Sequence, residues 1–490
     1  MADELTPETP EAEAEEPIKQ RKNGLYPGVS DELAENMKSG WADTELRDLK
    51  PIEQAGNAAR RRAALSERFP GERLVIPAGT LKTRSNDTEY PFRAATEYVY
   101  LTGDQTDGSV LVLEPRSGGG HEAVLHRLPR SDRENGEFWL NGMGELWVGR
   151  RHSLAESEAL LGVPCKDVRE LADTLREATG PVRVVRGHDA AVEEALTDKV
   201  TAERDEELRV YLSEARAVKD DFEVGELQKA VDSTVRGFED VVKVLDKAQA
   251  TSERWIEGTF FLRARVEGND VGYGSICAAG PHATTLHWVR NDGPVRSGDL
   301  LLLDAGVETH TLYTADVTRT LPVSGTYSEV QRRVYDAVYE AQEAGMAAVQ
   351  PGAKYRDFHD AAQRVLAARL VEWGIVEGPV ERVLELGLQR RWTLHGTGHM
   401  LGLDVHDCAA ARTEAYVNGT LEPGMVLTVE PGLYFQADDL TVPEEYRGIG
   451  VRIEDDLLVT EDGNRNLSAA LPRRSDEVEA WMARLAAERG

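Results

Sequence analysis

Three cysteines among 490 residues, Cys165, Cys277 and Cys408, are too few and too widely spaced to frame a disulfide scaffold or a cysteine-rich zinc site. A reducing compartment, the cytoplasm, is the expected setting. No run approaches the roughly 20 apolar residues that a membrane-spanning helix needs. Basic residues are in the minority: 57 Lys and Arg stand against 87 Asp and Glu, a formal net charge of -30. A field of that sign repels phosphate backbones, which argues against a nucleic-acid partner. The opening stretch, MADELTPETPEAEAEEP, has neither the basic nor the apolar region of a targeting signal. It is too poor in apolar side chains to offset its ordering entropy. Residues 1–23 are therefore expected to form a disordered acidic tail, with order beginning between Ile18 and Tyr26.

What is present exceeds one ordinary hydrophobic core, so two domains are expected. We place a mixed α/β domain at residues 24–206, a linker helix at 207–220 and a second domain at 221–490. In the first, Ala42–Arg73 is rich in Ala, Arg, Glu and Leu and reads as helical. Leu74–Thr80 reads as a strand running into a turn. TEYVYLTG and SVLVLEP read as strands from their aromatic and β-branched content. The polar, Gly-rich stretch 118–141 reads as a long surface connection. In the second, Val224, Leu227, Ala230, Val231 and Val235 mark an amphipathic helix. Further helices are expected at Ser328–Val349, Tyr355–Trp373 and Asp476–Arg489. LLLLDAGVE, YTADVTRTLPV, MVLTVEPGLYF and GVRIEDDLLVT read as strands.

Three local patterns carry chemistry. Asp304 in LLLDAG and Asp316 in TADVTRT are acidic residues on successive apolar strands. Burial there is costly unless something neutralises the charge. Either alone reads as a turn cap or half a salt bridge; two of them on paired strands weaken that reading. The run HGTGHMLGLDVHD places His395, His399 and His406 among glycines, with Gly398 and Gly402 permitting close approach. By itself it would serve a metal-free proton relay equally well. Glu430 ends the apolar run MVLTVEPG, and Glu454 lies two residues after Arg452, on the same strand face. An ion pair between those two is the plainer reading of that motif. Taken together, Asp304, Asp316, His399, Glu430 and Glu454 form a hard donor set suited to Mn2+, Co2+, Fe2+ or Zn2+. Without cations, clustered carboxylates would repel one another and hold protons at neutral pH.

These motifs, in this order, resemble the pita-bread metallopeptidases, which include methionine aminopeptidase, prolidase and Xaa-Pro aminopeptidase. YRGIGVRIEDD, LEPGMVLTVEPGLYF and HMLGLDVHD are similar to the Xaa-Pro aminopeptidase (aminopeptidase P) branch almost in full. RSNDTEYPFRAATEYVYLTG resembles that branch's N-terminal domain. The resemblance runs from about residue 24 to the C-terminus. It implies an α+β chain, with a C-terminal pita-bread (creatinase/methionine aminopeptidase-like) domain preceded by a smaller mixed α/β domain. It also implies two divalent metal ions, Mn2+ foremost. Asp316 and Glu454 would bridge both ions, Asp304 would complete one, and His399 with Glu430 the other. His287 in ATTLHW, His395 and His406 match active-site histidines. Arg452 matches an arginine behind the ligands, and Tyr434 would line the pocket. Trp147 resembles an aromatic that approaches the site across a subunit contact. Two departures stand out: His282 where the family usually has Asn, and Ala315 where it usually has Gly.

The implied activity is release of the N-terminal residue from peptides with proline second. Attack would come from a hydroxide bridging the metals, with His406 steadying the oxyanion and Glu430 carrying a proton to the proline nitrogen. A homodimer or homotetramer is implied, with no membrane partner. Prolidase shares all five ligands and is the nearest rival. A non-catalytic pita-bread binding protein would have lost ligands that this chain retains, and a creatinase-like amidinohydrolase normally lacks them.

Overall fold

A computed structural model describes residues 29–140 and 142–488; the expected acidic tail and the onset of order lie outside the described residues. The chain divides into two compact units at Thr201/Ala202.

The first unit is built on a five-stranded mixed sheet. Its spatial order is Cys165–Asp167, His121–Arg127, Val110–Pro115, Arg73–Pro77, Val182–Val184. The three inner strands are antiparallel and both edges are parallel. Alternation sets the faces: Val75 opposes Val112, and these pack with Val110, Val182 and Val184 against Leu171, Leu175 and Val192. Three expectations fail here. Ala42–Arg73 is helical only over Ala55–Arg68. The stretch 118–141 contains the strand His121–Arg127, buried from Val124 to Arg127, so its polar composition conceals a sheet member. TEYVYLTG is a helix, Thr96–Thr102, ended by Gly103 at φ 73. Its Tyr98, Val99, Tyr100 and Leu101 are all buried, and burial outweighs their β propensity.

The second unit opens with the helix Ala202–Ala215, which starts before and ends short of the expected linker helix at 207–220. Residues 216–220 are not helical. The long helix Asp221–Lys243 follows, started by a capping box between Asp220 and Glu223. Two three-stranded antiparallel sheets form the centre. In one, Leu300–Ala305 lies between Ile276–Ala279 and Val317–Pro322. In the other, Asp455–Thr460 lies between Val426–Val429 and Gly463–Asn466. A short ladder pairs Gly432–Tyr434 with Gly450–Arg452. Helices Glu329–Ala348, Arg356–Glu372 and Ser475–Ala487 lie close to their sequence expectation, and Leu245–Ala250, Glu253–Glu267 and Val380–Leu386 are further helices of the unit. The strand Leu300–Ala305 is buried at every position. Each of its leucines stabilises the fold by about 1.5–3 kcal/mol on burial, and that setting makes Asp304 an expensive residue to hold.

The two sheets meet through Arg319, which is 1% exposed. It donates to the Glu454 carbonyl at 2.7 Å and pairs with Asp455 at 2.8 Å. A second buried knot lies where the chain enters the unit. Asp407 accepts from Arg216 Nε at 2.9 Å and Lys219 Nζ at 3.2 Å. Burial works against the Asp407 charge, but Lys219 and Arg216 outweigh it and hold its pKa below the usual carboxylate range. A depressed folded-state pKa gives stability that is present above the unfolded value of about 3.9. That stability is lost as pH falls through the folded value. Asp407→Asn is therefore expected to cost about 3–5 kcal/mol at neutral pH, because it strands two buried cations. It should also flatten the acid limb of the stability curve. Urea unfolding at pH 7, 5 and 4 checks this, and an unchanged acid limb would count against it.

Candidate metal centre

Asp304 sits near the end of its strand, and its register partner is Thr318. Asp316 lies immediately before Val317–Pro322 rather than within it. Backbone pairing thereby brings the two carboxylates to one end of the sheet. Tyr273 closes them from the side: its hydroxyl is 2.6 Å from Asp304 Oδ1 and 2.5 Å from Asp316 Oδ1. Glu454 joins from the other sheet. An isolated bridge pairs it with Thr318, whose hydroxyl donates to Glu454 Oε2 at 2.6 Å.

His399 reaches the cluster from an irregular loop clamped on the strand Val426–Val429. Its backbone N–H donates to Thr428 Oγ1, and its carbonyl accepts from the Thr428 N–H. The clamp depends on a missing side chain: a Cβ at Gly398 would lie 2.0 Å from the Thr428 carbonyl oxygen. One at Gly402 would lie 2.1 Å from Asp407 Oδ2. Both glycines are close-approach positions, as their motif implied. His399 Nδ1 faces the Met400 carbonyl at 3.1 Å, which aims Nε2 at Asp316 Oδ2 (3.3 Å) and Glu430 Oε1 (3.6 Å). One donor atom each of Asp316, His399 and Glu454 lie within 4.8 Å of one another.

Asp304 is engaged differently. Arg452 Nη2 donates to its Oδ2 at 2.5 Å, and Tyr273 holds its Oδ1. The expected ion pair of Arg452 is therefore with Asp304, not with Glu454. Arg452 Nη1 also donates to the Tyr434 hydroxyl at 2.9 Å, and that hydroxyl lies 2.7 Å from His395 Nε2. His395 Nδ1 is 2.7 Å from the Gly396 carbonyl. With Nδ1 donating there, Nε2 is left to accept from Tyr434, and the ring is neutral. Burial, then the Arg452 charge, push the His395 pKa down to about 3.

The electrostatics test whether cations fit. Burial raises the Asp304 and Glu454 carboxyls above their usual range, and like charges nearby raise them further. Glu430 is pushed up to about 7, mainly by burial. His399 moves the other way: burial opposes its charge, but Asp316 and Glu430 outweigh it and raise its pKa to about 9. In the metal-free cluster, protons take up what the carboxylates cannot share, and one of them sits on the very nitrogen that faces Asp316. Hard oxygen donors with one imidazole, short of positive charge, fit divalent cations.

The cavity at the cluster is about 640 Å³. Its wall carries all five expected ligands together with His287, His395, His406 and Arg452. The rings of His399 and His406 meet edge to face at 4.4 Å. Tyr434 is buried behind His395 and does not form part of the wall. Trp147 lies in the other unit, 51% exposed, its indole N–H donating to the Trp139 carbonyl.

Sequence reasoning missed Tyr273, Thr318 and Glu253. Tyr273 had no signal beyond its place in a Gly-flanked segment. Glu253 is fully buried and accepts from Ala279 N, Trp288 Nε1 and Gly293 N, while His282 Nδ1 lies 2.8 Å from it. His282 also stacks on Trp288 at 3.8 Å. The residue that departs from the family pattern thus helps anchor the segment bearing His287.

Comparison with known proteins supplies the remaining observation. A family model described as "Metallopeptidase family M24" matches residues 225–461, and one described as "Aminopeptidase P, N-terminal domain" matches residues 58–185. A protein named Xaa-Pro aminopeptidase 1, from Streptomyces coelicolor, is 84% identical over 490 residues, covering 99% of this chain and 100% of the relative. The Xaa-Pro aminopeptidase of Escherichia coli (strain K12) is 34% identical over 444 residues, 86% of this chain and 96% of the relative. Among solved structures, aminopeptidase P from E. coli with the inhibitor Pro-Leu is similar at a TM-score of 0.79 and 31% identity, covering 89% of this chain and 99% of that one. A zinc-substituted form of the E. coli protein in complex with product matches at a TM-score of 0.79 and 32% identity, with the same coverage.

Proposed function

The chain belongs to metallopeptidase family M24, in its Xaa-Pro aminopeptidase branch, and from that premise we propose that it releases the N-terminal residue of peptides whose second residue is proline, at a dinuclear metal centre. The observation that carries the proposal is the convergence of Asp316, His399 and Glu454, with Asp304 and Glu430 beside them, in a cavity walled by three further histidines. These five residues would hold the two ions, most readily Mn2+. Bound there, divalent cations supply a water acidic enough to ionise near neutral pH and an electrophile for the scissile carbonyl.

The chain's own groups do the rest. Glu430, on the cavity wall between His399 and His395, moves a proton to the proline nitrogen. That nitrogen carries no hydrogen in the peptide and must gain one to leave. His406 donates to the oxygen that becomes negative as the carbonyl is attacked. Its pKa is lowered, by burial first and then by His399, so a neutral ring with one N–H is the available form. His287 and His395 shape the proline side, and the contacts from Arg452 through Tyr434 to His395 keep that imidazole uncharged. Buried Arg452 sets the position of Asp304.

The same reading assigns catalysis to the domain from residue 221 onward and cytoplasmic residence to the protein. Among the described residues no helix is long and apolar enough to cross a membrane. It also assigns assembly as a homodimer or homotetramer, with the exposed Trp147 available to a neighbouring subunit. The decisive test is hydrolysis by chelator-stripped protein with single metals added back. Ala-Pro-Ala should be cut to alanine and Pro-Ala in a metal-dependent manner, and the dipeptide Ala-Pro left intact. Cleavage confined to the dipeptide would replace this proposal with prolidase.

A further inference from the structure

A second cavity, about 680 Å³, adjoins the first, and His395 and Gly396 line both. It runs between the helix Arg356–Glu372, the helix Val380–Leu386 and the segment that leads to His395. One part of its wall is apolar and open: Leu386 is 50% and Leu394 63% exposed. Another is cationic. The guanidinium groups of Arg356 and Arg390 make no ion pair or hydrogen bond among the described residues, in a chain whose net charge is -30. They converge near His359, whose pKa is lowered by burial first and then by these two charges, against Asp360. His359 Nδ1 lies 2.8 Å from Thr397 Oγ1, on the segment that carries His395 and His399.

The remaining charges on this wall are accounted for. Glu385 is paired with Arg382 at 2.8 Å, and Arg364 lies 3.5 Å from Glu381. Among the described residues, Asp360 alone offers an unpaired carboxylate on this wall against the two arginines. Gln389 is 5% exposed, and its Oε1 is buried without a hydrogen-bond partner among the described residues, although its Nε2 donates to Gln363.

We infer that this groove is the subsite for the part of a peptide substrate beyond the proline, and that it selects peptides bearing a carboxylate there. The inference rests on the exopeptidase reading above and adds the chemical class of peptide preferred. Exposed leucines cover the apolar side chains of the departing peptide, and Arg356 with Arg390 meet its carboxylate in a setting where the rest of the molecule repels anions. That carboxylate is either the C-terminus of a short peptide or the side chain of an Asp or Glu.

Three tetrapeptides separate the possibilities: Ala-Pro-Ala-Ala with a free C-terminus, the same peptide amidated, and amidated Ala-Pro-Ala-Glu. With the metal-loaded enzyme, one or both carboxylate-bearing peptides should exceed the neutral amide by about tenfold in kcat/KM, chiefly through KM. The peptide that responds identifies the source of the carboxylate. The double variant Arg356→Ala/Arg390→Ala should bring that peptide down to the neutral one, and Asp360→Asn should widen the gap. Equal kcat/KM for all three peptides, or a double variant that preserves the wild-type ratio between them, overturns the inference while leaving the peptidase reading intact. Failure to cleave any of the three overturns both.

Discussion

Replacing Glu454 by glutamine is expected to cut kcat by about a thousandfold or more while the fold survives. The substitution keeps shape and exchanges one carboxylate oxygen for an amide N–H₂. That group cannot ligate a hard cation, and metal content should fall with activity. Stability should move the opposite way in metal-free protein. Glu454 is 1% exposed, and burial, followed by Asp316, Glu430 and Asp304, raises its pKa well above the ordinary value. A carboxyl whose folded pKa is raised binds more protons folded than unfolded. Metal-free wild-type protein must therefore lose stability as pH rises from the unfolded value of about 4.3 toward the folded one. Glutamine has no charge to suppress, so the variant should lose less over the same range. Thermal melts at pH 5, 6.5 and 8 with chelator, and again with Mn2+, would show it: metal rescues the wild type at high pH and leaves the variant unmoved. A variant that retains wild-type kcat and metal content would remove Glu454 from the site.

Arg452→Met should damage stability and activity together. Arg452 is 3% exposed, and its guanidinium serves Asp304, Tyr434 and Thr318 at once. Removing one partner of a buried pair leaves the other uncompensated, a cost of about 3–5 kcal/mol. For a unit of this size that corresponds to a fall in Tm of about 10 °C. Activity should fall as well, because Asp304 loses its position and His395 loses the largest of the nearby charges that keep it neutral. Arg452→Lys separates the two effects. An ammonium can restore charge beside Asp304 but has no planar fork to reach Tyr434 simultaneously. It should recover most of the lost Tm and little of the lost kcat/KM. If methionine changes neither quantity, the network drawn through this arginine is wrong.

The comparison of expectation with structure divides along a physical line. The helices Glu329–Ala348 and Arg356–Glu372 and the apolar strand Leu300–Ala305 were legible because period and capping are local properties of the chain. Thr96–Thr102 was not, since its aromatic and β-branched residues favour a strand until burial on the neighbouring elements overrides them. The strand His121–Arg127 was hidden because its pairing with Val110–Pro115, not its composition, makes it a strand.

At the centre, the identities of Asp304, Asp316, His399, Glu430 and Glu454 and the glycines beside them were determined by the sequence alone. Residue chemistry and spacing are written along the chain, and a carboxylate in an apolar run announces its own cost. Only the tertiary structure decided which groups those carboxylates meet. Tyr273 and Arg452 take Asp304, Thr318 takes Glu454, and Glu253 anchors the segment that bears His287. Such partners are assigned by strand register and by the approach of segments distant along the chain, and a hydrogen bond depends on where an atom lies rather than on what precedes it in sequence. The arginines of the adjoining groove follow the same rule: their positions are in the sequence, and their lack of partners among the described residues is in the fold.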